Sequence, residues 1–122
     1  MPDVAAVRQM VMALPDIEDH SDGERLMFKV RDGDRLAWSY LRREHPRKPR
    51  VLDPDCLAVR CAMPRKEMLV EAAPDRFFDD DHYRGYPTVL VRLAALEEDE
   101  LVGLLQSAWE LAQPKPKPKR TR

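Results

Sequence analysis

Apolar residues near the start of the chain recur every three to four positions, placing Val4, Val7, Val11 and Leu14 on one face of a helix. Asp3 stands where it can cap that helix and Pro15 where it stops it, so the spacing predicts a helix from Asp3 to about Ala13. From Leu26 the period changes to two. Leu26, Phe28 and Val30 alternate with Met27, Lys29 and Arg31, and Leu36, Trp38 and Tyr40 alternate with Ala37, Ser39 and Leu41, which predicts two strands joined at Asp32, Gly33 and Asp34. A two-residue loop there would put the two apolar sets on opposite faces. A three-residue hairpin loop instead sets Phe28 against Trp38 and Val30 against Leu36.

Further along, Leu57, Val59 and Cys61 alternate with Cys56, Ala58 and Arg60 as a third strand. Pro64 to Ala73 reads as a short helix with Pro64 suited to its first position, closed by Pro74. Phe77 and Phe78 suggest a fourth strand and Thr88 to Leu93 a fifth. Leu101, Leu104, Leu105, Ala108 and Leu111 mark a long last helix with Glu97, Glu98 and Asp99 at its positive end. The order is α-β(3)-α-β(2)-α. Strands with one apolar face and no alternating crossover helices predict an α+β, two-layer fold: a five-stranded, mainly antiparallel sheet with helices on one face. The expected shared face holds Leu26, Phe28, Val30, Leu36, Trp38, Val59, Val89 and Val91.

Composition narrows the classes. At 122 residues, with 43% apolar and 35% charged positions, the chain is sized for one domain and has no apolar run near the ~18 residues of a membrane span. Met1 to Leu14 lacks the basic start and continuous apolar stretch of a signal peptide, and two cysteines make no disulfide framework, so the cytoplasm is the expected compartment. On one strand, Cys56 and Cys61 point to opposite faces about 17 Å apart, out of disulfide reach. The net charge of −1 is unevenly spread. Residues 1–112 hold 16 basic and 22 acidic groups, whereas residues 113–122 hold five basic groups and no acid. That divides the chain into a domain over 1–112 and a Lys/Pro-rich tail over 113–122, expected to be extended and disordered, with Lys115, Lys117, Lys119 and Arg120 among its charges. A second basic run, Arg42, Arg43, Arg47, Lys48 and Arg50, is broken by Pro46 and Pro49 and reads as a loop.

Candidate chemistry is sparse. Ser21, Ser39 and Ser107 lie in no nucleophile elbow, and the glycines are isolated, so no phosphate loop is present. Asp79, Asp80, Asp81 and His82 are consecutive and diverge in direction, which reads as a solvated acidic loop. Trp38 and Trp109 read as packing residues. The expectation is a protein without catalytic activity, cofactor or metal. His82-Tyr83-Arg84-Gly85-Tyr86-Pro87 stands out: Gly85 and Pro87 fit a tight turn before a strand, and the two tyrosines, histidine and arginine form a surface suited to stacking and anion contact.

Phe77-Phe78, His82 to Pro87, Val89-Leu90-Val91-Arg92-Leu93 and a last helix with Ala108-Trp109, in that order, resemble the MmcQ/YjbR family of small bacterial proteins. Leu14-Pro15-Asp16-Ile17-Glu18 followed by Phe28-Lys29-Val30 is similar to that family's opening, and the resemblance covers about residues 3–112. It implies a secretion-chaperone-like α-β(3)-α-β(2)-α fold with a double-wing motif, and the label of a DNA-binding protein. No catalytic motif comes with it.

Two functions follow as expectations. In the first, the chain contacts DNA phosphates non-specifically through Arg42, Arg43, Arg47, Lys48 and Arg50, with Arg84 and the tail residues Lys115, Lys117, Lys119 and Arg120 contributing. Its difficulty is the domain's charge of −6, which repels a polyanion unless turned away. The alternative is an adaptor that receives a protein or small ligand at His82, Tyr83 and Tyr86. No membrane partner is expected.

Overall fold

The computed structural model describes residues 3–43 and 45–114. The tail charges Lys115, Lys117, Lys119 and Arg120 lie outside the described residues. Among the described residues, three α-helices, α1 (Val4–Met12), α2 (Met63–Ala72) and α3 (Glu98–Ala112), accompany six strands: β1 (Ile17–Asp19), β2 (Met27–Val30), β3 (Arg35–Arg42), β4 (Val51–Arg60), β5 (Phe77–Phe78) and β6 (Thr88–Arg92). The strands form one sheet in the order β1-β2-β3-β4-β6-β5, every neighbouring pair antiparallel. The α+β architecture is as expected, with one strand more than the pattern suggested. Ile17–Asp19 is that strand, pairing with β2 directly after Asp16, which has a positive φ of 60°.

Local chemistry starts the helices where the sequence placed them. The Asp3 carboxylate accepts from the Ala6 N–H at 2.9 Å. Glu97 and Glu100 form a reciprocal capping box on α3, whose first turn carries Glu98, Asp99 and Glu100. Against one sheet face these helices bury Val7, Val11, Leu101, Leu104, Leu105 and Ala108 over Phe28, Val30, Leu36, Ala37, Leu57, Val59, Val89 and Val91. Trp109 ties α3 to the α1–β1 turn, its indole N–H donating to the Pro15 carbonyl at 2.9 Å.

The expected hairpin register is not the one formed. Phe28 pairs with Ala37 and Met27 with Trp38, while Lys29 pairs with Arg35, so Leu36 is an extra residue bulged out of the ladder. The bulge lets Leu36 and Ala37 both reach the helix-side core and reverses the parity beyond them. Trp38 therefore stands on the opposite face from Phe28 and packs with Tyr40, Ala58 and Leu90 in a second cluster. The other residues expected on the helix side are there. Strand β4 also begins earlier than expected, at Val51. Its register jumps between Ser39↔Leu57 and Tyr40↔Asp53, and the irregular stretch carries Pro54, which an undisturbed inner strand would not accommodate. Cys56 and Cys61 are free thiols associated with opposite clusters, as their spacing required.

Candidate functional site

The second sheet face has no helix over it among the described residues; its cover is the segment from Asp79 to Pro87. That segment is built, not merely solvated. Gly85 has φ +81°, which closes the turn in which the Tyr86 N–H donates to the Tyr83 carbonyl at 2.9 Å. The Asp80 carboxylate accepts from the Tyr83 N–H at 2.9 Å and from the Tyr40 hydroxyl at 2.8 Å. Burial, then the Asp80 carboxylate, holds the Tyr40 phenol far above the ordinary tyrosine range. From α2, the buried Lys66 ammonium donates to the carbonyls of Tyr83 at 2.8 Å and Tyr86 at 3.0 Å and lies 3.1 Å from an Asp79 carboxylate oxygen. The Asp79-to-His82 run, expected to be a solvated acidic loop, instead supplies two of the carboxylates that hold this turn.

Tyr83 joins the turn to the sheet, since its hydroxyl accepts from the Trp38 indole N–H at 2.9 Å and His82 stands edge-on to its ring at 4.6 Å. Beside them lie three adjoining recesses that share His82 in their walls. The first, about 390 Å³, is walled by Arg35, Trp38, Arg60, His82, Tyr83 and Tyr86. A second, about 270 Å³, adds Arg25 and Arg50, and a third of about 270 Å³ adds Arg43 and Tyr40 beside Asp80 and Asp81. Together they make one groove lined by Arg25, Arg35, Arg43, Arg50 and Arg60. Among the described residues, none of these five has a carboxylate partner.

Four of the five are nevertheless positioned. The Arg35 guanidinium lies over the Trp38 ring at 4.1 Å, and Arg60 donates from Nε to the Arg35 carbonyl at 2.7 Å. Arg50 donates to the Leu41 carbonyl at 3.0 Å and Arg43 to the Pro46 carbonyl at 2.9 Å. A guanidinium that uses one N–H on a carbonyl keeps others for an anion.

The residues expected to bind are thus divided. Arg43, Arg50, His82, Tyr83 and Tyr86 come together in the groove walls. Arg47 and Lys48 are exposed on the adjoining β3–β4 loop. Arg42 is an ion-pair partner of Asp53 at 3.3 Å, and Arg84 pairs with Asp81 at 2.6 Å. Sequence reasoning missed Arg25, Arg35, Arg60 and Lys66. Arg60 carried a signal, since it alternates with the helix-facing Val59 and so had to point to the other face. Lys66 precedes the core-packed Leu69 and Val70 by three and four positions, the spacing of a side chain on the inner stripe of α2.

The sequence matches the YjbR family model over residues 12–111. Uncharacterised proteins of Mycobacterium tuberculosis and Mycobacterium bovis are each 42% identical over 50 residues, covering 41% of this chain and 39% of theirs. The match therefore spans about two fifths of the length of those curated relatives. Among solved structures, Deinococcus radiodurans protein DR2400, a DUF419 domain, superposes with a TM-score of 0.68 at 24% identity, over 91% of this chain and 78% of that one. At that identity the likeness concerns the fold. Among the described residues, no helix is long and apolar enough to cross a membrane.

Proposed function

The chain belongs to the YjbR family, and on that fold we propose that it binds nucleic acid without reading sequence, seating phosphates on the guanidinium groups of the helix-free face. The observation that carries this reading is the groove lined by Arg25, Arg35, Arg43, Arg50 and Arg60 without carboxylate partners among the described residues. Excess positive charge in a concave wall focuses the field on an anion. Arginine's planar fork suits phosphate oxygens.

The acidic balance of the domain opposes this only in part, because many of its carboxylates stand away from the groove. Helix α3, on the far side of the sheet, carries Glu98, Asp99, Glu100 and Glu110 and no Lys or Arg. A polyanion approaching the groove meets its five arginines and the carboxylates of Asp80 and Asp81, of which Asp80 is engaged by Tyr40 and Tyr83 and Asp81 by Arg84, while the carboxylates of α3 lie beyond the sheet. The exposed Arg47 and Lys48 extend the positive surface along the β3–β4 loop.

The test is binding of a fluorescent oligonucleotide at low salt by the native chain and by Arg35→Gln/Arg60→Gln, which keeps polar side chains at both positions. The variant is expected to bind at least tenfold more weakly with its thermal unfolding unchanged. Equal binding by the two proteins contradicts the reading.

A further inference from the structure

The recess walled by Arg35, Trp38, Arg60, His82, Tyr83 and Tyr86 is shaped for more than phosphate contact. We infer that it receives one unpaired base of a single-stranded nucleic acid, stacked on the Arg35–Trp38 pair, with the adjoining phosphate on Arg60. This rests on the nucleic-acid reading above and specifies which form of the polymer the groove selects.

Trp38 is 6% exposed and the Arg35 guanidinium lies over its ring at 4.1 Å, so the inner side of the cation is already occupied. Its outer plane is the next surface available, and guanidinium planes and aromatic rings are the surfaces on which unstacked bases lie. Tyr86 lines the same recess and is 61% exposed, although its own backbone N–H and carbonyl are both held. Its carbonyl is gripped by Lys66 and its N–H by the Tyr83 carbonyl, so the ring is presented by a rigid turn. Presenting an aromatic surface from fixed backbone reduces the ordering cost of binding.

Shape then separates single strands from duplex. A duplex hides the faces of its bases within the stack, and proteins read its edges with a protruding helix or ribbon. This site is concave, lies on a sheet face and is about 390 Å³, the size of a small-ligand cleft rather than of a groove-filling element. A base enters only when it is unpaired. The charge complement is on hand in Arg60, which is fixed through Nε and carries no ion pair among the described residues.

The experiment measures fluorescence anisotropy of the full chain with three probes: an oligo-dT strand of about ten nucleotides, the same backbone with abasic sites, and a duplex of equal length. The native chain is expected to favour the single strand over both other probes by roughly tenfold. Tyr86→Ala, at a ring 61% exposed, should lose that advantage with its thermal unfolding unchanged. His82→Ala serves as a second variant with the same expectation. If oligo-dT and the abasic strand bind equally, or if Tyr86→Ala and His82→Ala bind like the native chain, the base recess is wrong and phosphate contact alone stands. Failure of every probe at low salt overturns the nucleic-acid reading as well.

Discussion

The Lys66 ammonium lies 2.8 Å from the Tyr83 carbonyl oxygen, joining the helix layer to the turn that covers the opposite face of the sheet. With 3% of its side chain exposed, it holds three oxygens: the carbonyls of Tyr83 and Tyr86 and the Asp79 carboxylate. Lys66→Met keeps the aliphatic stem and takes the ammonium from all three oxygens, leaving each with one backbone N–H donor, from Tyr86, Thr88 and Asp80. Because Asp79 is partly solvated, the expected loss is about 2–3 kcal/mol, below that for a fully buried pair. Urea denaturation checks it, and a loss under about 0.5 kcal/mol would show that water replaces the ammonium without penalty.

Two glycines should respond oppositely to alanine. A Cβ on Gly33 would come within 2.1 Å of the Ala112 carbonyl oxygen, at the point where the Asp34 N–H donates to that same oxygen at 2.8 Å. Backbone cannot move aside cheaply, so Gly33→Ala is expected to cost about 1–3 kcal/mol. On α3, Gly103 has nothing within 4 Å of its Cβ position, and Gly103→Ala should gain up to about 1 kcal/mol from helix propensity. Paired thermal melts decide both signs.

The thiols should be slow to react. Burial, reinforced by the Asp53 charge, pushes Cys56 up to about 11, and burial likewise pushes Cys61 upward. Only the thiolate attacks, so at about pH 8 roughly a thousandth of Cys56 is reactive. Iodoacetamide labelling of the native chain is expected to be slow at that pH and to rise about tenfold per pH unit toward 10. Denaturant should remove the protection. Rapid native labelling at pH 8 would contradict the burial of these side chains.

The basic residues at the end of the chain offer a separate lever on affinity. Removing residues 115–122 deletes five positive charges from a protein whose remaining residues are net acidic. Oligonucleotide affinity should fall and its salt dependence should become shallower, without loss of folding stability. Unchanged binding after truncation would confine recognition to the groove and its adjoining loop.

How much of this was legible beforehand depends on whether local pattern or strand pairing decided it. Val4, Val7 and Val11, and Leu101, Leu104 and Leu105, repeat at helical spacing and form the helices that spacing predicts. Phe28, Val30, Val59, Val89 and Val91 reach the expected face because nothing interrupts their alternation. Leu36, Trp38 and Tyr40 look equally regular, yet the bulge at Leu36 moves Trp38 and Tyr40 across the sheet, and no local residue signals where a bulge falls. Strand Ile17–Asp19 is too short to show a period. For the site, His82, Tyr83 and Tyr86 announce themselves by composition. Arg35 and Arg60 are 25 residues apart and meet through the β3–β4 register, which a linear reading does not contain.

The central claim, phosphate seating on the groove arginines, is tested most directly by the salt dependence of oligonucleotide binding. The comparison is the native chain against Arg25→Gln/Arg35→Gln/Arg43→Gln/Arg50→Gln/Arg60→Gln. If four of these groups meet phosphates of a single strand, the groove should contribute roughly −2.8 to the slope of log K against log salt. The variant should lose that share while unfolding at the native temperature. An unchanged slope in a folded variant would place the phosphates elsewhere on the molecule and contradict the account.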